Sequence, residues 1–284
     1  MRVANVGGRA KLVVADKQAV DVAAASEGRF GPGLPELYAS WCDFLDWAQG
    51  FTSDKAPAVA TEPFSASIAG PPSPAPRQVF AVALNYRAHA AESGFKAPDD
   101  PLFFTKFVSA FSGPVTEVVL PEGNVDWECE LVAVIGKAAR RVRAADGWAH
   151  VAGVTVGQDL SERKLQRSGP SPQYSLAKSY PGFAPTGPVL VSPDELADPD
   201  DLAIGCEVND QVMQSARTSD MIFPVGALIE YLSQRLTLYP GDVIFTGTPP
   251  GVGMGRDPQV FLQAGDRLCS HIEGIGEMLQ TFVG

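Results

Sequence analysis

Asp126-Trp127-Glu128-Cys129-Glu130-Leu131-Val132-Ala133-Val134-Ile135 is the stretch from which the fold of this 284-residue chain is best read. It begins by alternating and ends as a continuous apolar run. In a strand, side chains at i and i+2 share a face about 6.6 Å apart. Glu128 and Glu130 therefore point one way, and Trp127, Cys129 and Leu131 the other. A strand whose second half is apolar on both faces runs into a core. Two carboxylates at the mouth of that core repel each other unless a cation lies between them. The residues alone leave two alternatives, a hard-cation site built from oxygen ligands or a solvated strand face.

A second stretch of similar design is Val151-Ala152-Gly153-Val154-Thr155-Val156-Gly157-Gln158-Asp159. Asp159 is either a third carboxylate at a strand end or the N-cap of the turn that follows. Arg163 and Gln166 lie four and seven residues on, along one side of a helical turn, with surface positions as the alternative. Further strands are expected at Arg2–Val6, Lys11–Asp16, Val79–Leu84, Leu131–Ile135, Val189–Val191, Ala203–Val208, Val243–Thr246 and Arg267–Ile272, each bounded by Gly, Pro, Asp or Asn. Helices are expected at Leu34–Trp47, Tyr86–Glu92 and Val225–Gln234. The 28 Gly and 24 Pro favour a turn-rich chain. The fold class is therefore α+β, mostly β. Gly70-Pro71-Pro72-Ser73-Pro74-Ala75-Pro76 is stiff and has little ladder potential. It divides the chain into a small N-terminal α+β unit (1–70), a Pro-rich connector (71–77) and a larger, mostly β unit (78–284).

Composition removes whole classes of function. The net charge of −11, with 33 Asp+Glu against 22 Lys+Arg, argues against nucleic acid, whose phosphates need a basic face. No apolar run approaches the roughly 18 residues of a spanning helix, so no membrane partner is expected. Arg9, Lys11 and Asp16 interrupt any signal-peptide core. Cys42, Cys129, Cys206 and Cys269 are widely spaced, as in a reduced cytoplasmic protein.

From residue 78 onward the chain resembles the fumarylacetoacetate hydrolase family, in its smaller bacterial-type acylpyruvate hydrolase, decarboxylase and isomerase subgroup. The resemblance rests on ordered motifs: Leu84-Asn85-Tyr86-Arg87-Ala88-His89-Ala90-Ala91-Glu92, Glu128-Cys129-Glu130-Leu131, Asp159 through Gln166, Ala177-Lys178-Ser179, Asp220-Met221-Ile222-Phe223, Pro240-Gly241-Asp242-Val243-Ile244 and Thr246-Gly247-Thr248-Pro249-Pro250-Gly251-Val252-Gly253. It implies a mixed β-sandwich roll holding one divalent cation, Mg²⁺ with Mn²⁺ and Ca²⁺ as alternatives, on Glu128, Glu130 and Asp159. It implies that Arg163 and Gln166 contact the substrate, that Lys178 is an active-site lysine, and that His89 and Glu92 form a dyad. The activity implied is hydrolysis of a C–C bond in a small anionic 2-oxo or 2,4-dioxo acid through a metal-stabilised pyruvate enolate, by a homodimer.

Each role has a chemical reason. A cation held by carboxylates keeps positions for the substrate's 1-carboxylate and 2-oxo oxygen. A carboxylate three residues from an imidazole can hold it as a base, and a lysine places charge near a developing oxyanion. Two prolines and the absence of a following lysine exclude a phosphate loop at 247–253. Thr248 and nearby N–H groups there are expected to bind the substrate carboxylate, with a plain strand turn as the alternative. His150 and His271 are expected to be structural. The segment from His89 to Pro101 has the composition of a lid. Gln158 stands where the family usually has Asn, and Asp210 where it has Gly. The same site would also serve oxaloacetate-type decarboxylation or isomerisation of a 2-hydroxymuconate or 2-hydroxyhepta-2,4-diene-1,7-dioate. A non-catalytic binding protein is a third reading.

Overall fold

A computed structural model of the chain describes residues 1–51 and 61–284, so residues 52–60 of the expected N-terminal unit lie outside the described residues. The chain is mostly β. Its principal strands are β1 (Arg2–Val6), β2 (Arg9–Ala15), β3 (Gln18–Asp21), β4 (Val79–Ala83), β5 (Leu102–Phe104), β6 (Val115–Val119), β7 (Cys129–Ile135), β8 (Val151–Gln158), β9 (Ala184–Val191), β10 (Ala203–Val208), β11 (Gln211–Arg217), β12 (Val243–Phe245), β13 (Arg267–Ile272) and β14 (Gly276–Val283). The larger sheet runs β3-β2-β1-β9-β8-β7-β12-β4-β5, and the smaller β11-β10-β13-β14-β6. Both are mixed, with β12 parallel to β4 and β14 parallel to β6. The sheets pack through β7, β8 and β9 against β10, β13 and β14, as a two-layer β fold requires. Among the described residues no helix is long and apolar enough to cross a membrane.

β7 sits between β8 and β12, antiparallel to both, and every one of its seven residues is buried. That explains its apolar second half: both faces are covered. Close packing around it sets the sequence of its neighbour. A Cβ at Gly157 would lie 2.4 Å from Val132 Cγ2, so the position opposite Glu130 admits only glycine.

The N-terminal strands continue the larger sheet. β1 pairs antiparallel with β9, Arg2 opposite Val191 and Val3 opposite Leu190. The connector is pinned from both sides. Pro71 O accepts from Asn5 Nδ2 (2.9 Å), Pro72 O accepts from the Tyr38 hydroxyl (2.9 Å), and Ser73 Oγ donates to Gly241 O (2.7 Å). The expected single helix over Leu34–Trp47 is two, Leu34–Ala39 and Trp41–Gln49, because Ser40 leaves helical backbone at φ −129°, ψ 34°. Ser favours caps over helix interiors. The helix at Val225–Ser233 stands where it was expected.

Asp21 ties this N-terminal part together. Its buried carboxylate takes Arg9 Nε and Nη2 at 2.6 and 2.8 Å, lies 3.1 Å from Lys11 Nζ, and accepts from Ala24 N–H at 3.0 Å as an N-cap. The Arg9 hydrogen bond holds its pKa well below the usual carboxylate range, against the opposing effect of burial. A depressed pKa stabilises the fold above the unfolded Asp value, and that stabilisation is lost as pH falls below about 4. Asp21→Asn should therefore cost about 2 kcal/mol at pH 7. Urea denaturation of both proteins between pH 7 and pH 2 should show the two stabilities converging at the acid end.

Candidate active site

Glu128 and Glu130 stand at the entry of β7, where the ladder is one-sided. Cys129 faces Gln158 and Glu130 faces Gly157 on β8, whereas pairing with β12 begins only at Val132 opposite Phe245. Beyond Phe245 the chain leaves the ladder. Thr246 bonds back to Leu131 O through its N–H (3.1 Å) and hydroxyl (2.8 Å). Gly247, at φ +94° and with no room for a Cβ against Asn85, then donates its N–H to Glu130 Oε2 at 2.8 Å. Asp159 follows β8, its N–H bonded to Glu128 O at 2.9 Å. One oxygen from each of Glu128, Glu130 and Asp159 lies within 4.8 Å of the other two, and all three residues are buried.

Cationic side chains surround this cluster unevenly. Lys178 Nζ lies 2.7 Å from Glu128 Oε2 and 2.5 Å from Asp159 Oδ2. Lys106 Nζ lies 2.6 Å from Asp159 Oδ1 and donates to Lys178 O. Arg163 Nη2 is 2.8 Å from Glu128 Oε1 and 2.7 Å from Asp126 Oδ2, as ion contacts without hydrogen-bond alignment. Glu130 has no salt bridge among the described residues. Burial, reinforced by Asp159 and Glu128, pushes its carboxyl well above the usual range. Burial also acts on Glu128, but Lys178 and Arg163 outweigh it and hold that carboxyl low. Buried, oxygen-only donors with one unbalanced carboxylate fit a hard divalent cation.

The second half of the site is on the helix Arg87–Glu92. His89 Nδ1 is 2.8 Å from Glu92 Oε1, and Glu92 Oε2 accepts from Gly251 N–H at 2.8 Å. An ionised carboxylate only accepts, so the bond assigns the ring proton to Nδ1 and leaves Nε2 as the basic nitrogen. Asn85 fixes the start of this segment. Its Nδ2 donates to Thr246 O (2.7 Å) and Phe223 O (2.9 Å), and its Oδ1 accepts from Phe223 N–H (2.8 Å).

His89, Glu128, Arg163, Gln166, Lys178 and Thr248 line one cavity, closed by Phe104, Tyr174 and Met254. Glu130 and Asp159 sit beneath it, and Glu92 behind His89. Arg163 Nη1 donates to Gln166 Oε1 at 3.0 Å, which turns the Gln166 amide nitrogen outward; that nitrogen donates to no protein group among the described residues. Asp159 is not a helix cap. Glu162 caps Arg163–Gln166, accepting from Lys164 and Leu165 N–H at 3.0 and 2.7 Å. Thr248 differs from expectation. Its hydroxyl donates to Cys129 O (2.9 Å) and accepts from Gln214 Nε2 (2.8 Å), so it has no proton left for a substrate anion. The N–H groups of Gly247, Gly251, Gly253 and Met254 are likewise engaged with the protein's own carboxylates. His150 and His271 line no part of the cavity.

Two buried residues of the site were not singled out in sequence. Lys106 is a lysine amid Phe103, Phe104 and Phe107, a pattern that favours burial with an acidic partner. Asp126 opens the very stretch that decides the fold. Its carboxylate accepts from Trp127 N–H (2.8 Å), Gly253 N–H (2.7 Å), Met254 N–H (3.0 Å) and Arg163 Nε (2.8 Å).

Residues 78–283 match the family described as fumarylacetoacetate (FAA) hydrolase C-terminal. The chain belongs to that family. It is 42% identical over 260 residues to the mitochondrial oxaloacetate tautomerase FAHD2A of Bos taurus, covering 89% of this chain and 82% of the relative. Among solved structures it is similar to an HpcE protein from Mycobacterium smegmatis (55% identity, TM-score 0.92, 100% of this chain and 99% of that one). It is also similar to maleylpyruvate hydrolase from Sphingobium sp. SYK-6 in complex with manganese(II) and pyruvate (30% identity, TM-score 0.81, 100% and 99%). The chain is thus an enzyme of this family, with the mixed-β fold that the resemblance implied.

Because Glu130 is a buried carboxylate crowded by two others, Glu130→Gln should stabilise the metal-stripped protein at pH 8 by about 1 kcal/mol or more. The amide oxygen can still accept from Gly247. Melting curves with and without Mn²⁺ check this: the wild type should gain from Mn²⁺, and the variant should start higher and gain nothing.

Proposed function

We propose that this protein hydrolyses a C–C bond in a 2,4-dioxo acid, an acylpyruvate or related diketo acid, with Mg²⁺ bound by Glu128, Glu130 and Asp159. The observation that carries this reading is the His89–Glu92 pair at 2.8 Å, facing the same cavity as Glu128 and Lys178. A carboxylate cluster alone supports many reactions of 2-oxo acids. A carboxylate-held imidazole lining the same cavity adds a base for water.

The substrate's 1-carboxylate meets the free Arg163 Nη1–H and the Gln166 amide nitrogen, which orients it. When bound, the cation supplies Lewis-acid stabilisation of negative charge at the 2-oxo oxygen. His89 Nε2 takes a proton from water, and the oxygen adds to the 4-oxo carbon. Glu92 holds the imidazole in the required tautomer and stabilises its charged form. Two of the three Lys178 donors are engaged by Glu128 and Asp159. Lys178 lines the cavity, where its remaining donor is available to stabilise an oxyanion. The C3–C4 bond then breaks, its electron pair passes to C3, and His89 returns the proton. The products are a carboxylic acid and pyruvate.

A second reading is proton transfer at C3 of oxaloacetate, either keto–enol exchange or decarboxylation. Identity of 42% to a relative of the former name favours it, and the same base serves it without water attack. We also infer a homodimer: β5 is the outer strand of the larger sheet, and Leu102, Phe107 and Val108 around it are exposed. An unpaired apolar edge of this kind favours self-association.

Purified protein with Mg²⁺ is to be assayed on acetylpyruvate, oxaloacetate and a 2-hydroxymuconate analogue. Turnover of acetylpyruvate to acetate and pyruvate is expected. His89→Ala should lower its kcat by about 10²–10⁴-fold while Mn²⁺ affinity is kept. Turnover of oxaloacetate alone would replace the hydrolase by the second reading. No turnover of any of the three would overturn both.

A further inference from the structure

The peptide between the two glutamates is held by a closed circuit of side chains. Gln214 Oε1 accepts from Cys129 N–H at 2.9 Å, and Thr248 Oγ1 donates to Cys129 O at 2.9 Å. Gln214 Nε2 closes the ring by donating to Thr248 Oγ1 at 2.8 Å, and it also reaches Pro249 O at 2.7 Å. Gln214, Cys129 and Thr248 are all buried. The directions are forced. Cys129 N–H can only donate and its carbonyl only accept, so the amide and hydroxyl must be oriented as found. Immediately before it, Gln158 Oε1 accepts from Glu128 N–H at 2.9 Å, anchored by Nε2 on Ser270 Oγ at 2.8 Å.

We propose that Gln214 and Thr248 are positioning residues for the cation site: by gripping both the N–H and the carbonyl of Cys129, they fix the two peptide planes that aim Glu128 and Glu130. The proposal rests on the reading that those carboxylates hold a cation. Its physical basis is the break in the ladder. A central strand has its N–H and carbonyl groups held by neighbouring strands. Here β12 pairing begins only at Val132, so Cys129 has no strand neighbour on that side. Side chains from the smaller sheet and from the 246–254 turn replace the missing strand. Gln214 lies on β11, at the far edge of that sheet, so the aim of the carboxylates depends on a hairpin that contributes nothing to the cavity lining.

The test is Mn²⁺ affinity, by calorimetry on metal-stripped protein with no substrate. Gln214→Leu and Thr248→Val should each weaken Mn²⁺ binding about 10–100-fold, as losses of ligand-orienting partners do. The double variant should be far less than additive, because both break one circuit. Thr248→Ser, which keeps the hydroxyl, should stay within about threefold of wild type. Gln280→Leu is the control: it removes an equally buried amide that bonds Pro114 O on β14 and should lower the melting temperature without changing Mn²⁺ affinity. If Gln214→Leu does not fold, Thr248→Val, a near-isosteric change, decides. The proposal is overturned if folded Thr248→Val binds Mn²⁺ within twofold of wild type, or if Gln280→Leu loses as much affinity. Failure of the wild type to bind Mn²⁺ would instead remove the cation reading, and this proposal with it.

Discussion

Three carboxylates brought within 4.8 Å of one another inside a protein repel strongly, and the arrangement of the larger sheet follows from holding them there. Glu128, Glu130 and Asp159 come from adjoining ends of β7 and β8, whose central position supplies rigidity. That position also removes water and so raises the energy of every uncompensated charge. Lys106, Lys178 and Arg163 compensate most of it. The residual imbalance centres on Glu130, whose carboxylate accepts, among the described residues, one hydrogen bond, from the Gly247 N–H. Such a cluster fits a divalent cation.

The glycine-rich turn reads differently in this light. Four of its N–H groups are aimed at carboxylates of the chain itself: Gly247 at Glu130, Gly251 at Glu92, Gly253 and Met254 at Asp126. Each of these bonds gives a carboxylate oxygen a partner within the protein. One turn thus braces Glu130, the Glu92 that bonds His89, and the Asp126 that bonds Arg163. Prolines at 249 and 250 remove donors that would otherwise need partners.

Much of this was legible in sequence because it is local. The apolar run after Glu130 marked a doubly covered strand. The i, i+2 spacing of Glu128 and Glu130 put them on one face, and the three-residue spacing of His89 and Glu92 put them on one helical turn. What was not legible depends on long-range closure. Lys106 meets Asp159 across 53 residues, Gln214 meets Cys129 across 85, and Asp126 meets Gly253 across 127. The phenylalanines around Lys106 favour its burial but do not name Asp159 as its partner, and nothing in the residue types near Gln214 distinguishes it from an ordinary strand glutamine. Thr248 shows the same limit: the partners of its hydroxyl, Cys129 and Gln214, come from other strands. The strands Val115–Val119, Gln211–Arg217 and Gly276–Val283 carry exposed or polar residues on one face, so a search for apolar runs passes over them.

The two halves of the site are mechanically one body. Asn85 ties the entry of the dyad helix to Thr246 O, one residue before the Gly247 N–H that holds Glu130. Glu92 ties the other end of that helix to Gly251. A movement of the dyad relative to the carboxylates therefore has to break bonds at both ends of the helix or carry the 246–251 turn with it. Beyond Glu92, Ser93, Gly94 and Phe95 donate their N–H groups back to the helix, and loop follows to Asp100 with no hydrogen bond to the turn among the described residues. Ser93 and Phe95 line the cavity, so side chains there can change without touching the bonds that tie His89 and Glu92 to the turn.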